Sequence, residues 1–151
     1  MFAKLAALFR RTLQEPVTGH LEPTPAPLAI DAEGWLVGPR VKRYPSVRSS
    51  RLTVPEPTAI VWHYTATDVG TAKSLAKRIR KYKSGVDRAA SWHLLIAADG
   101  TIYQSVSLLR GAWHCRCGYL DGHRVNACSI GIELEGHGQS FPDAQVDAAA
   151  R

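Results

Sequence analysis

Two short apolar segments, residues 59–67 and 129–136, constrain the fold of this 151-residue chain more than any other feature. Each is too short for a typical helix, is bounded by turn-forming residues and is rich in β-branched or aromatic side chains, which predicts two β-strands. Because each run is apolar on both faces, we expect the strands in the middle of a covered sheet. His63 in the first strand and Glu133 in the second would be costly to bury without a partner or a chemical role. A metal ion facing a general base would give both residues such a role.

The alternation of side chains along a strand predicts which residues share a face of the sheet. His63 shares its face with Val61, and Glu133 shares its face with Gly131 and Glu135. If the two strands are neighbours, His63 and Glu133 meet on one side of the sheet. Alone, His63 would be interpreted as a hydrogen-bonded core histidine and Glu133 as a buried ion-pair partner. Their joint occurrence favours a functional site, whereas Glu135 is interpreted as an exposed or paired carboxylate at the strand end.

The other periodic segments predict one α/β domain with a mixed central β-sheet flanked by helices, because strands alternate with helices and one hairpin is present. The hairpin is indicated by an Asp-Gly turn between two strand-like runs. The predicted elements are a helix over residues 71–83, strands over 91–97 and 101–106 joined by the 98–100 turn, a loop over 111–128 and a helix opening at 141–143.

The N-terminal part of the chain differs in composition from the rest. Residues 1–15 have apolar positions on one helical face and flanking basic residues, which predicts a basic amphipathic helix. Such a helix docks on its own protein or frays, and weak contact with a membrane surface is the alternative. Residues 16–29 are proline-rich and predict a linker, so the domain is expected over residues 30–151.

The chain carries a net charge of +6 and has a pI near 9.5, which favours polyanionic partners. Cell-wall polymer, anionic lipid and nucleic acid all meet that description. The basic residues of the predicted 71–83 helix are interpreted as its solvated face, with phosphate or polymer binding as the alternative. No residues at base-reading spacing accompany these charges, so we expect no nucleic acid partner.

Three cysteines are an odd number and do not predict a disulfide framework. Reduced thiols are the simpler interpretation. A disulfide from Cys128 to either Cys115 or Cys117 is one alternative. A structural zinc site that also uses His114 and His123 is another, although the Cys-X-Cys spacing is tighter than that of usual zinc knuckles.

Five short motifs, in order along the chain, resemble the zinc-dependent N-acetylmuramoyl-L-alanine amidases, which share the peptidoglycan-recognition-protein fold. The most similar branches are the cytoplasmic anhydromuropeptide amidases and related phage endolysins. The similarity covers roughly residues 30–147. The motifs are IVWHYTA at 60–66, SWHLLI at 91–96 with DGTIYQ at 99–104, AWH at 112–114 and NACSIGIELEG at 126–136, and GWLVG at 34–38 fits the same branch.

The resemblance implies hydrolysis of the amide bond between N-acetylmuramic acid and L-alanine in peptidoglycan or muropeptides. It implies that His63 is a Zn²⁺ ligand and that Glu133 is the general acid/base that protonates the leaving nitrogen. His93 is assigned a structural or supporting role. Candidate substrate-binding residues are Tyr64, Trp113, His114, Arg124 and Asn126, of which Arg124 could clamp a carboxylate of the stem peptide.

The chain departs from the family pattern at the metal site. The family completes its zinc site with a second histidine and an aspartate or cysteine that follow the helix beginning here near Asp143, so one of about three ligands is present. We therefore expect a C-terminally truncated amidase domain that holds zinc poorly, and the sequence leaves open whether it is active as it stands. The alternative function is a non-catalytic module that binds peptidoglycan or muropeptide. Without a signal peptide, a cytoplasmic location is expected, or release to the cell wall for an endolysin. The oligomeric state is not predicted.

Overall fold

The structure is a computed structural model that describes residues 27–81 and 90–151, without the side chains of residues 80 and 81. The predicted N-terminal helix, most of the predicted linker and the end of the predicted 71–83 helix lie outside the described residues. Within the described ranges, no helix has the length and apolarity that crossing a membrane requires.

A five-stranded mixed sheet forms the centre of the described domain, as the sequence predicted. Its strands are β3 (Val41–Arg43), β5 (Ala59–Tyr64), β6 (Leu94–Ile96), β7 (Ile102–Gln104) and β11 (Ser129–Leu134). Their order across the sheet is β3-β7-β6-β11-β5. The β6–β7 hairpin is antiparallel, as predicted, whereas β11 runs parallel to both of its neighbours.

Three small antiparallel pairs surround this sheet. They are β1 (Ala29–Ile30) with β2 (Leu36–Val37), β4 (Ser49–Ser50) with β8 (Gly111–Ala112), and β9 (Tyr119–Leu120) with β10 (His123–Arg124). The segment predicted as a loop over 111–128 therefore contains three short strands, and a 3-10 helix follows at Val125–Ala127. These strands are too short to produce a period-two signal in the sequence.

Two helices cover opposite faces of the sheet. The α1 helix (Ala72–Lys81) buries Ala72 and Ala76 in a cluster with Leu95 and Tyr103. The α2 helix (Asp143–Ala149) buries Ala148 in the cluster on the other face, which contains the following apolar side chains: Leu36, Leu94, Ile96, Ile102 and Ile132. Both clusters exclude water from apolar surface and so stabilise the sheet from both sides.

The expectation that both site strands lie in the middle of a covered sheet is correct for β11 and wrong for β5. Among the described strands, β5 is at the edge of the sheet. Its side chains on the α2 face, Ile60, Trp62 and Tyr64, are each about half exposed, at 57%, 48% and 54%. The apolar pattern on both faces therefore predicted the strand correctly. It did not predict how completely other elements of the fold cover that strand.

Candidate active site

The two predicted site residues lie side by side on neighbouring strands. The β11 and β5 strands pair in parallel with Glu133 in register with His63, so both side chains are on the same face of the sheet. This is the face that carries α1, because Leu95 of the α1 cluster is in register with Glu133 on the other side of β11. The predicted juxtaposition of His63 and Glu133 is therefore present in the structure.

Glu133 is a half-buried carboxyl group for which the described residues provide no hydrogen-bond partner or ion pair. Burial raises its pKa to about 7, because the protein interior disfavours the charged form. A carboxyl group with a pKa near neutrality exists in both protonation states at physiological pH. Glu133 is therefore suited to take up and release a proton within one reaction cycle.

His114 completes a hydrogen-bonded chain that begins at His63. The Nε2 atom of His63 lies 3.0 Å from Nδ1 of His114, and Nε2 of His114 lies 3.2 Å from Oγ of Ser129. Burial, with smaller contributions from His93 and His63, lowers the pKa of His114 to about 4, and burial also lowers that of His63. Both rings are therefore neutral at pH 7.

Gly131 makes room for this chain in the middle of β11. A Cβ atom at this position would lie 2.2 Å from Cγ of His114, far inside van der Waals contact. The ring of His114 thus occupies the space that a side chain on this face would fill. A glycine within a strand often marks such a close approach, so Gly131 was a signal in the sequence that another group packs here, without identifying His114 as that group.

His93 helps to hold the site in place, and both nitrogens of its ring are hydrogen-bonded to the backbone. Its Nδ1 accepts a hydrogen bond of 2.9 Å from the backbone N–H of Gly131, and its Nε2 donates one of 2.7 Å to the carbonyl of Arg110. The side chain is fully buried, and burial lowers its pKa to about 4. These contacts give His93 the structural role that the sequence suggested.

Glu135 is fully buried, so it is not the exposed carboxylate that was one of the two sequence-based alternatives. Its Oε1 accepts hydrogen bonds from the backbone N–H of Ala72 at 2.5 Å and from the hydroxyl of Thr71 at 3.4 Å. Its Oε2 accepts one from the backbone N–H of Ala98 at 2.9 Å. The carboxylate thereby caps the positive end of α1 and ties it to the β6–β7 turn.

Asn126 and Arg124, two of the predicted substrate-binding residues, line one small cavity of about 90 Å³ beside the 115–119 segment. The amide of Asn126 already forms two hydrogen bonds with Cys115, one to its N–H and one to its carbonyl, each 2.7 Å long. The guanidinium of Arg124 lies 5.9 Å from the ring centroid of Tyr119. Asn126 therefore orders the chain at Cys115, and Arg124 is one of two exposed arginines, with Arg116, that line this cavity.

Tyr64 and Trp113, the other aromatic candidates, lie elsewhere. Tyr64 is exposed on the α2 face of β5, where its ring approaches Gly138. Trp113 is 41% exposed, and the guanidinium of Arg48 lies 5.2 Å from its ring centroid. Among the five candidate residues, His114 is the one whose side chain is hydrogen-bonded to His63.

The residues in the described part of the chain do not by themselves fit a zinc site. No group of three or more histidine, cysteine, aspartate or glutamate side chains in residues 27–81 and 90–151 is placed to hold a metal ion. The alternative zinc site around Cys115 and Cys117 is therefore not formed by these residues either. The three cysteines form no disulfide in the structure, and Cys128 is the buried one.

Comparison with known proteins agrees with the resemblance seen in the sequence. The family profile described as N-acetylmuramoyl-L-alanine amidase (Amidase_2) matches residues 53–151. The crystal structure of a selenomethionine derivative of AmpD is similar, with 29% identity, a TM-score of 0.57 and coverage of 81% of this chain and 74% of that chain. A search of curated protein sequences gave no significant match.

Two further solved structures extend the comparison. A mutant endolysin from Bacillus subtilis is 25% identical, with a TM-score of 0.51 and coverage of 72% of this chain and 69% of that one. The Drosophila protein PGRP-LB, solved as a mutant in complex with tracheal cytotoxin, is 18% identical, with a TM-score of 0.53 and coverage of 74% and 70%. The latter shows the shared fold. Since the family profile matches more than half of the sequence, the chain belongs to the N-acetylmuramoyl-L-alanine amidase family.

Proposed function

We propose that this protein hydrolyses the amide bond between N-acetylmuramic acid and L-alanine in peptidoglycan or its muropeptide fragments, with Glu133 as the general acid/base. The observation that carries the proposal is the half-buried carboxyl group of Glu133, which has a pKa of about 7 and lies in register with His63. A catalytic acid/base works best when its pKa is close to the operating pH. Membership of the amidase family supports this assignment.

The nitrogen of an amide is a poor leaving group, and Glu133 supplies the proton that lets it leave as an amine. As a carboxylate it removes a proton from the attacking water, so that the oxygen forms the new bond to the lactyl carbonyl carbon. As the resulting carboxylic acid it donates that proton to the nitrogen of L-alanine, so that the C–N bond breaks and an amine leaves. Glu133 is thereby returned to its starting state. Proton transfer of this kind contributes about 10²–10⁴-fold to rate.

We further propose that His63 contributes one zinc ligand through Nδ1. Its Nε2 is engaged by His114, and the described residues offer no hydrogen-bond partner to Nδ1. Neutral imidazole nitrogen is a usual ligand of zinc. Since no group of three donors is present in the described part of the chain, we expect weak zinc binding by this chain.

For substrate recognition we propose the exposed side chains of Tyr64, Trp113 and Arg124. The aromatic rings offer stacking surfaces, and the planar guanidinium of Arg124 suits a carboxylate of the stem peptide. His114 and Asn126 remain proposals as substrate contacts, although their polar atoms bond mainly within the protein.

The proposal is tested by incubating the chain with a purified muropeptide, with and without added Zn²⁺, and by detecting the released peptide by mass spectrometry. Glu133→Gln and His63→Ala should each abolish release, and Glu56→Gln, which changes an exposed carboxylate, should not. Zinc stoichiometry is measured on the same samples. Normal turnover by both site variants would overturn the assignment.

A non-catalytic muropeptide-binding module is the second candidate. The observation that favours it is the incomplete donor set around His63. PGRP-LB, which has a similar fold, was solved in complex with tracheal cytotoxin, and this supports the idea that such a fold can bind a ligand. This function predicts muropeptide binding that a chelator leaves unchanged and that yields no product.

A further inference from the structure

We propose that Ser129 is a positioning residue that, through His114, fixes the His63 ring in the tautomer with its proton on Nε2 and its lone pair on Nδ1. The tautomer follows from hydrogen-bond geometry, and its significance for catalysis depends on the function proposed above. The three residues Ser129, Gly131 and Glu133 alternate along β11 and therefore share the site face.

A backbone carbonyl can only accept hydrogen bonds, and this fixes the first proton of the chain. The backbone carbonyl of Val125 lies 2.6 Å from Oγ of Ser129, so the serine hydroxyl must donate its single proton there. With its proton donated to Val125, the Oγ atom of Ser129 can only accept further hydrogen bonds. Its other close neighbour is Nε2 of His114, at 3.2 Å, which must therefore carry a proton.

The proton on Nε2 determines the rest of the chain. A neutral imidazole has one protonated and one bare nitrogen, so Nδ1 of His114 is an acceptor. It lies 3.0 Å from Nε2 of His63, which therefore donates. Nδ1 of His63 is left with a lone pair, which is the state in which imidazole binds a metal ion or accepts a proton.

The surroundings keep this arrangement in place. The Ser129 side chain is fully buried, and Gly131 leaves the space in which the His114 ring lies. His93, on the same face, has its own tautomer fixed by backbone groups alone, because Nε2 donates to the Arg110 carbonyl and Nδ1 accepts from the Gly131 N–H. His93 therefore provides an internal reference that does not depend on Ser129.

The test is ¹⁵N NMR of the full chain labelled at histidine, recorded at pH 8 with a chelator present, because protonated and bare ring nitrogens resonate in well-separated ranges. In the unsubstituted protein we expect His63 to show a bare Nδ1 and a protonated Nε2. In Ser129→Ala, the signals of His63 and His114 should shift toward the average of two tautomers, while those of His93 stay unchanged.

Ser105→Ala is the matched control, because Ser105 is also a fully buried serine and its hydroxyl has no hydrogen-bond partner among the described residues. It should retain the original pattern. A protonated Nδ1 of His63 in the unsubstituted protein, or an unchanged pattern in Ser129→Ala, would overturn the proposal. Because the first of these outcomes needs no variant, a failure of Ser129→Ala to fold leaves the test intact.

Failure of the amidase function would be seen separately. If the tautomer pattern is as expected but no peptide is released from muropeptide, Ser129 still positions His63 and the proposed reaction is wrong. If the chain is active, Ser129→Ala should lower kcat more than it changes KM, since Ser129 is buried beneath His114 and has no access to substrate.

Discussion

Glu133 in β11 and Glu135, the first residue after this strand, lie on the same side of the sheet, yet of the two only Glu135 has hydrogen-bond partners among the described residues. Its carboxylate is held by backbone N–H groups of α1 and of the β6–β7 turn. Glu133, two residues earlier, stands beside His63 with a pKa raised to about 7. The same residue type thus serves structure at one position and is available for chemistry at the other.

Replacing Glu135 should therefore affect stability first. Glu135→Ala would leave the N–H groups of Ala72 and Ala98 buried without an acceptor, at a cost of about 1–3 kcal/mol for each group. Glu135→Gln keeps one acceptor oxygen and should cost less. Urea denaturation followed by circular dichroism measures both, with Glu56→Gln as an exposed control. Unchanged stability of Glu135→Ala would show that α1 does not depend on this anchor.

Asn126 should determine the order of the adjacent cysteine segment. Asn126→Ala removes two hydrogen bonds to the backbone of Cys115, and we expect a loss of about 1–2 kcal/mol in local stability. Alkylation of the half-buried Cys115, followed by peptide mass spectrometry, should become faster. The buried Cys128 is the internal control, and equal acceleration at both thiols would indicate global unfolding instead.

From period-two alternation, the sequence predicted that His63 and Glu133 meet on one face of the sheet if their strands are neighbours, and the structure pairs β5 with β11. It did not show that His114 bonds to His63, since 51 residues separate them and the intervening segment has no regular pattern. The role of Ser129 depends on the same tertiary contact. Gly131 was the one local signal of a close approach, and a single strand glycine does not say which side chain approaches.

Local sequence patterns also could not predict that β5 lies at the edge of the sheet. Ile60, Trp62 and Tyr64 have the composition of a covered face, but coverage is decided by which elements pack there. Similarly, a glutamate at a strand end is compatible with exposure until the position of α1 is known. Local periodicity predicts elements and faces, whereas partners across the fold depend on topology.

The raised pKa of Glu133 makes a prediction about stability and pH. Its pKa in the unfolded chain is about 4.3, so between that pH and about 7 the folded state binds more protons than the unfolded state. The contribution of Glu133 to stability should therefore fall as pH rises through this window, whereas the lowered pKa values of His93 and His114 contribute in the opposite direction, so the comparison is with a variant that changes Glu133 alone. Glu133→Gln lacks the titration, so its stability relative to wild type should grow by about 1–2 kcal/mol from pH 4 to pH 8, allowing for partial solvent screening.

Denaturation midpoints of both proteins, measured at intervals across this range, check that prediction. Glu56→Gln, which changes an exposed carboxylate, is the control variant in the same measurements. A difference between Glu133→Gln and wild type that does not change with pH would mean that Glu133 ionises in the folded state as it does in water.

The contact between Gly131 and His114 should appear as a strong coupling between two substitutions. Gly131→Ala places a methyl group where the His114 ring lies, and overpacking of this kind costs about 1–3 kcal/mol. In a His114→Gly background the ring is absent and so is the Cβ atom, which would lie 2.7 Å from the new methyl group, so the same Gly131→Ala change should cost much less. A double-mutant cycle of unfolding free energies measures the difference, and additive values would contradict the packing of His114 on Gly131.

Because the displaced ring also bonds to His63, Gly131→Ala alone should lose the single-tautomer NMR pattern of His63 even where the protein stays folded.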